Sequence, residues 1–345
     1  MEEGVQVMTT LKDIAKEAGV TVMTVSNVIN GKYDKVSKST VETVTEIARR
    51  LDYVPSATAR SLVAKSSRLV GVLLPATKDE GIFLSTHNVA VIGVIERLLR
   101  EKGYYLLLRG VSAAEGVSGT LRSWNLDGAI FIGFLDSEIQ QMRASFDTPL
   151  VVLESYAAHG DFMNVRLDDR RGGYLATHHL IQNGHRSIAF VGTHKSERGV
   201  DRERYEGYLE ALREAGITGD PVTLLSHAVS YSNGVEAGTK LRREHPEVTA
   251  VFATADQFAV GIMDGIHSLG GTVPDDLSVV GFDNLEIAAT SRPPLTTITQ
   301  DLNRKAATAV DLLLQRLQSK RDQPGETILD VELVERKSVR NLKPA

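Results

Sequence analysis

The residues from which enzymes build active sites are either missing from this 345-residue chain or spaced so that they cannot act together. There is no cysteine, which removes disulfides, thiolate metal sites and cysteine nucleophiles at once. His178 and His179 are adjacent in a helical pattern and point apart, and no His-x-x-x-His or His-Glu-x-x-His pair occurs, so no metal or other cofactor is expected. Gly116 and Gly119 lack phosphate-loop spacing, and no Ser-His-Asp set follows from chain order alone. The chain is therefore expected not to be an enzyme. A different chemistry fits Thr21 to Ile29, TVMTVSNVI: a small polar residue able to cap a helix, then about two turns whose outer face carries side chains that could lie in a groove.

That stretch needs neighbours to hold it, and residues 10–54 supply them. Thr10 followed by Asp13 resembles a capping box, and Leu11, Ile14, Ala15 and Ala18 fall on one face of a first helix that Gly19 can end. Thr21 can cap a second helix with Val25, Val28 and Ile29 inward. After the break NGKYDK, Ser37 can cap a third, with Val41, Val44, Ala48 and Leu51 inward. Two short helices around a tight turn with a third beneath form a helix-turn-helix arrangement, in which the second helix is free to enter a major groove. A small bundle used for protein contact has the same pattern. Pro55 stops the third helix, and SATARSLVAK (56–65) has almost no apolar face, so it reads as a linker whose order depends on a partner.

From Arg68 the rhythm changes. LVGVLLP, YYLLLRG, GAIFIGF and PLVVLES look like buried strands, separated by helical candidates near 86–102, 115–124 and 137–146. SIAFVG, PVTLLS, TAVFATAD and LSVVGFD follow, with helices near 169–183, 202–215, 232–244 and 256–269. Two successive series of this kind imply an α/β fold of two doubly wound parallel-sheet subdomains, with a ligand cleft outside the carboxyl ends of the strands. Trp124, the only tryptophan, precedes NLDGAIF and reads as a core residue.

The length suggests two to three units, and 42% hydrophobic with 24% charged residues is ordinary for a globular chain. Residues 1–67 hold nine Lys or Arg against eight Asp or Glu, and the rest thirty against thirty-six, a contrast in the direction that DNA binding needs but too weak to count alone. The N-terminus lacks the order of a signal peptide and no apolar run reaches the roughly 18 residues of a membrane span, so a cytoplasmic location without membrane contact is expected. Met8 opens MTTLKDIA and is a possible natural start, residues 1–7 then being an extension.

The elements DIAKEAGV, TVSNVIN, LDYVPS and ARSL resemble the N-terminus of the LacI/GalR (lactose-repressor/galactose-repressor) family of transcription factors. The resemblance continues in order through DGAIFIG, GHRSIAFVG, RYEGYLEAL, TAVFATADQFAVGIM, VPDDLSVVGFDN and PPLTTITQD, essentially the whole chain. It implies an all-α helix-turn-helix headpiece over 1–54, a hinge-helix linker over 55–67, and a periplasmic-binding-protein-like core over 68–345. The core's first subdomain would take 68–167 and 300–324, its second 168–297 and 325–340, with the last strand near Thr327 to Val334 in the second.

The resemblance further implies a repressor that binds a palindromic operator in double-stranded DNA as a homodimer and answers to a small-molecule effector, a sugar rather than a purine or a phosphorylated carrier protein. By position, Thr21, Val22, Met23, Ser26, Asn27 and Ser37 would meet DNA. Asn27 can pair two-pronged with adenine, and Val22 and Met23 can offer only apolar contact. Arg60 and Leu62 would enter the minor groove, Leu62 as a wedge between base pairs. Phe83, Glu154, Arg204, Asp256 and Asp283 match effector-binding positions, where carboxylates accept hydroxyl hydrogens and the Arg fork donates. The wall position where some relatives stack a sugar on Trp falls near Val229 or Ser230. The rivals are a transport-type sugar-binding protein, which would need a signal peptide and no reading head, and an α/β enzyme, which would need a catalytic pair in the cleft.

Overall fold

The computed structural model describes residues 9–54, 66–77, 81–82, 84–111, 124–143, 148–156, 162–193, 199–226, 228–319 and 325–343. The chain divides into two compact units, Met1–Ser67 and Arg68–Ala345.

In the first unit, α1 (Leu11–Ala18), α2 (Val22–Ile29) and α3 (Lys38–Arg50) begin at the polar residues expected to cap them. Asp13 Oδ2 accepts from the Thr10 amide at 2.8 Å, Thr21 Oγ1 accepts from the Thr24 amide at 3.1 Å, and Ser37 Oγ accepts from the Thr40 amide at 3.2 Å. Gly19 ends α1 with φ of 64°, which a side chain would resist. Ile14, Ala15, Val25, Val28, Val44, Ile47 and Ala48 form the core of the three-helix unit. The strand-like composition of α2 is thus a packing requirement. Val25 and Val28 are buried, and burial outweighs a helix-propensity deficit of at most about 0.7 kcal/mol per residue.

The second unit contains two sheets. In the first, β1 (Leu69–Thr77), β4 (Gly128–Ile132), β5 (Leu150–Leu153), β6 (Met163–Leu167) and β12 (Gly325–Leu329) are successive parallel neighbours. The parallel strand β3 (Tyr105–Val111) lies on the other side of β1, and the short β2 (Gly81–Ile82) runs antiparallel at its end. The second sheet has the order β13 (Glu332–Val334), β11 (Thr296–Thr299), β10 (Ser278–Asp283), β9 (Ala250–Ala253), β7 (Ile188–Thr193), β8 (Thr223–Ser226), with only β13 antiparallel. In both sheets the strand order reverses beside the first strand, which makes a crevice at the carboxyl ends of β1 and β4, and of β7 and β9.

Helices cover the sheets: α4 (Thr86–Glu101), α5 (Asp136–Arg143) and α11 (Leu302–Gln318) with the first, α6 (Asp169–Gln182), α7 (Val200–Glu214), α8 (Tyr231–Glu244), α9 (Asp256–Ser268) and α10 (Glu286–Thr290) with the second. Strand alternation divides side chains between layers, Val70, Val72 and Leu74 to one face of β1 and Leu73 to the other. Among the described residues no helix is long and apolar enough to cross a membrane.

One strand assignment is corrected. TILDVELV (327–334) is not one strand of the second sheet. Residues 325–329 pair with β6 in the first sheet, and the chain passes to the second only at Asp330, so 325–329 do not lie with the second subdomain. The reason is β6, whose MNVRL lacks the unbroken apolar run of a buried strand: its open edge takes β12, and Arg166 holds the Glu326 carboxylate through Nε at 2.6 Å and Nη2 at 2.9 Å. The helix expected near 115–124 lies almost wholly outside the described residues.

Candidate functional site

A cavity of about 350 Å³ lies between the two sheets of the second unit, at the low end of the roughly 300–1,000 Å³ usual for ligand pockets. Its walls are the segments that follow strands: Gly133 to Asp136 after β4, Glu154 after β5, Thr193 at the end of β7, Thr254 and Ala255 after β9, and Asp283 at the end of β10. The first turns of α4, α5, α7 and α9 also reach it. Glu154 and Asp283 leave their strands with φ of 66° and 113°, left-handed values that cost a non-glycine residue about 1–3 kcal/mol and gather at functional sites.

Arg204 is positioned by a close helix crossing. A Cβ on Gly173 of α6 would stand 2.0 Å from the Arg204 carbonyl oxygen, so only glycine lets α7 approach this far. The guanidinium then donates from Nε to Asp169 Oδ1 at 2.7 Å and from Nη1 to the Thr254 carbonyl at 2.5 Å, and lies over the Phe282 ring at 3.4 Å from its centroid. Burial disfavours a charged arginine, but Asp169, Asp283 and Asp201 outweigh it and raise its pKa, so it stays a cation. Asp169 also accepts from the Tyr156 hydroxyl at 2.5 Å.

On the opposite wall Glu154 is held by Lys305, a fully buried lysine of α11 whose Nζ is 2.5 Å from Glu154 Oε1 and 2.5 Å from Gln300 Oε1. Burial pushes the Glu154 carboxyl up, but Lys305 and His87 together pull harder and hold it well below the usual carboxylate range. His87 bridges the walls, with Nε2 at 3.4 Å from Glu154 and Nδ1 at 3.9 Å from Asp283. Gln300 Nε2 donates to Asp283 Oδ1 at 2.6 Å. Burial raises the Asp283 pKa despite His87, Arg204 and Lys305.

In the three-helix unit, Val22 and Met23 of α2 are 41% and 70% exposed, unusual for apolar side chains, and Ser26 and Asn27 are partly exposed. Thr21 and Ser37 are engaged as helix caps, and Ser26 accepts from the Asn30 amide group at 2.7 Å through its carbonyl. The outer face of α2 can therefore offer apolar contact and one amide. Arg60, Leu62, Phe83 and Met8 lie outside the described residues.

Residues 10–56 match the family model of "Bacterial regulatory proteins, lacI family", and residues 177–339 match a periplasmic binding protein-like domain. The HTH-type transcriptional repressor PurR of Vibrio vulnificus (strain CMCP6) is 33% identical over 344 residues, spanning 97% of this chain and 100% of that protein. The chain belongs to the LacI family. Among solved structures it is similar to the lac repressor dimer bound to operator and the anti-inducer ONPF, with a TM-score of 0.84, 27% identity, and 96% of this chain and 99% of that one covered. It is also similar to the complex of the transcriptional regulator CelR with cellobiose, with a TM-score of 0.71, 28% identity, and 96% and 99% covered. Helix-turn-helix headpiece and two-sheet core together make this LacI-family chain a DNA-binding transcriptional regulator under effector control.

Within this LacI-family core, Glu154, Arg204 and Asp283 come together in the cavity, and Val229 stands on its wall, whereas Ser230 caps α8 by accepting from the Asn233 amide at 3.1 Å. Asp256 does not reach the cavity, although Ala255 and Gln257 on either side of it do. As the first residue of α9 it turns back to the sheet, where its carboxylate accepts from Thr297 Oγ1 at 2.5 Å and the Leu285 amide at 2.8 Å. Burial and the charge of Asp283 push its pKa up to about 8. Trp124 is not a core residue either. It sits in a turn and is 52% exposed.

His87, Asp136, Asp201, Thr254, Gln300 and Lys305 were missed in the sequence. His87, Asp136 and Asp201 shared one legible signal, since each falls in a helix's first turn after a buried strand, the part of an α/β unit that faces the crevice. Lys305 carried none: it stands in an ordinary helical pattern, and only the fold brings Glu154 to it.

Proposed function

We propose that this regulator is a repressor that grips a two-fold operator as a homodimer, and that a neutral sugar in the cavity changes its operator affinity. The observation that carries the sugar reading is the charge pattern of the cavity. Asp136, Glu154, Asp201 and Asp283 stand at the helix N-termini and strand ends that an anionic ligand would otherwise use, so a phosphate would meet carboxylates where it needs donors. Lys305 answers Glu154 and Asp169 answers Arg204, which leaves hydrogen-bonding atoms with little unspent charge. Such a set suits hydroxyl groups, each able to donate to a carboxylate and accept from a guanidinium. A purine would favour flat apolar walls, and among the described lining residues Phe134 is the one Phe, Tyr or Trp.

In this reading Val22, Met23 and Asn27 read bases, Thr21, Ser26 and Ser37 meet the DNA backbone, and Arg60 and Leu62 work in the minor groove. A single short reading helix contacts too few base pairs for specificity, which supports a dimer on a palindrome. Exposed apolar side chains on the first-sheet half, among them Leu84, Val89, Tyr105 and Leu108, support the core as the place of association. Sugar and operator would be coupled by typically 1–3 kcal/mol, reciprocally.

The test selects duplexes from random DNA with the full chain, then measures their affinity with ribose, glucose, cellobiose or purine bases present. A palindromic winner whose affinity shifts about fivefold or more with a sugar is the expected result. A shift produced by purines and by no sugar would overturn the sugar reading, and no preference over scrambled duplex would overturn the repressor.

A further inference from the structure

One cavity wall of the second subdomain depends on a residue of the first. Arg204 lines the cavity, and its fork is taken up at Nε by Asp169 Oδ1 and at Nη1 by the Thr254 carbonyl. Nη2 has no hydrogen-bond partner among the described residues and is not one of the buried atoms that lack a partner, so it is the nitrogen that the fork keeps open. Where that nitrogen stands is set by Asp169, a buried residue whose other oxygen, Oδ2, accepts from the Tyr156 hydroxyl at 2.5 Å. Burial and the charge of Asp169 push the Tyr156 pKa far up, so the hydroxyl keeps its proton and remains a donor.

Tyr156 is itself anchored in the first subdomain. It follows β5, its amide donates to Asp136 Oδ1 at 3.1 Å, and the Arg166 guanidinium lies over its ring at 4.8 Å from the centroid. The Glu326 carboxylate of β12 holds that guanidinium in turn. The hydroxyl end reaches across. Asp169 opens α6 on the second sheet, so the bond to it spans the crossing from Leu167, the last residue of β6, to Asp168. The same hydroxyl is 3.3 Å from the Leu167 carbonyl, and the Asp168 amide donates to the Leu329 carbonyl at 3.0 Å, which ties this crossing to the one after β12.

We infer that Tyr156 is a positioning residue for effector binding: its hydroxyl fixes Asp169 and through it Arg204, and because the bond spans a crossing, the aim of Arg204 depends on the angle between the subdomains. This rests on the reading of the cavity as the effector site and adds how its occupation is felt at the hinge. A ligand that pulls on Arg204 pulls on Asp169 and then on the first sheet without touching Tyr156. Hydrogen bonds are short and directional, so a change of subdomain angle that stretches this one releases the carboxylate. By linkage, whatever fixes the angle also changes the grip on the ligand.

Tyr156→Phe removes the hydroxyl and leaves the ring beside Arg166. The control is Tyr208→Phe, the same change on α7, the helix that carries Arg204; its buried hydroxyl donates to the Ile188 carbonyl at 2.7 Å, within the second subdomain. The full-length wild type and both variants are titrated by calorimetry with ribose, glucose, lactose, cellobiose and purine bases, and their affinity for the selected operator is measured with and without the probe that binds. The chain has no cysteine, so Lys102→Cys at the end of α4 and Glu236→Cys on α8, both exposed positions, give each protein one spin label per subdomain. The distance between the labels is measured without ligand, in protein diluted with unlabelled chain.

Both variants are expected to melt below the wild type, since each leaves a buried acceptor short of a donor. Tyr156→Phe alone should bind the probe roughly five- to twentyfold more weakly, lose most of the operator shift, and move or broaden the distance distribution. A Tyr156→Phe protein that matches Tyr208→Phe in all three measurements has lost a plain structural strut, which overturns the inference and leaves the sugar reading standing. If purines bind and no sugar does, the sugar reading falls, and the purine affinity of Tyr156→Phe still decides the inference. If no probe binds, the distances decide: a distribution altered in Tyr156→Phe and not in Tyr208→Phe supports the positioning role, and one unaltered, or altered equally in both, overturns it.

Discussion

The pairing of Lys305 with Glu154 makes a strong quantitative claim, because one partner is fully buried and the other has a side chain only 15% exposed. Replacing Lys305 with Met keeps length and apolar stem and removes the charge. Loss of one partner of a buried pair typically costs about 3–5 kcal/mol, chiefly because the remaining charge is left uncompensated. For a unit of this size that is roughly 6–12 °C in melting temperature. The pH dependence carries the diagnosis. In the wild type the folded Glu154 has a lowered pKa, so its contribution is present above the unfolded value of about 4.5 and is lost as pH falls through the depressed folded value. In the variant, burial is opposed by His87 alone, the folded pKa rises, and Glu154 then subtracts stability as pH increases. The deficit of Lys305→Met should therefore be widest near pH 8 and narrow toward pH 5. The double variant Lys305→Met/Glu154→Gln, with no charge left to compensate, should recover much of the loss at pH 8. Urea unfolding followed by circular dichroism measures all of this. A deficit below about 1 kcal/mol, or one equal at pH 5 and pH 8, would refute the reasoning.

Asp256 predicts the opposite sign. With its folded pKa pushed up to about 8, its stability contribution is full near pH 4 and is lost as pH rises through 8, so Asp256→Asn should gain on the wild type between pH 5 and pH 8 in urea midpoint; parallel curves would show that its carboxylate does not titrate there. Gly173→Ala should lower stability by roughly 3 kcal/mol or more and weaken effector binding, because the Arg204 carbonyl stands where the new Cβ must go; a folded variant with full affinity would show that α6 and α7 can part without moving Arg204. Leu62→Ala should weaken binding to the selected palindrome while leaving effector affinity and dimerisation intact, as gel-shift and sedimentation would record; unchanged operator affinity would remove the wedge.

The difference between what could and could not be read from the residues follows from how local each determinant is. Helix starts at Thr21 and Ser37 were legible because the cap and the amide it serves lie three residues apart. Buried strands such as Leu150–Leu153 were legible because a strand covered on both faces needs an unbroken apolar run. Met163–Leu167 defeated the same rule. Its Asn164 and Arg166 break the run, yet both bond Glu326, 162 and 160 residues away in sequence, and that pairing is what draws Gly325–Leu329 into the first sheet. The cavity shows the limit most sharply. Glu154, Arg204 and Asp283 were found by resemblance, but the groups that set their charge are Lys305, Asp169 and His87, each on another element. A carboxylate in a sequence has no fixed electrostatic meaning until its counter-ion is known. Asp256 demonstrates it: one residue from the cavity wall and of the same type as Asp283, it turns toward Thr297 and the Leu285 amide and acts as a strut between α9 and β11.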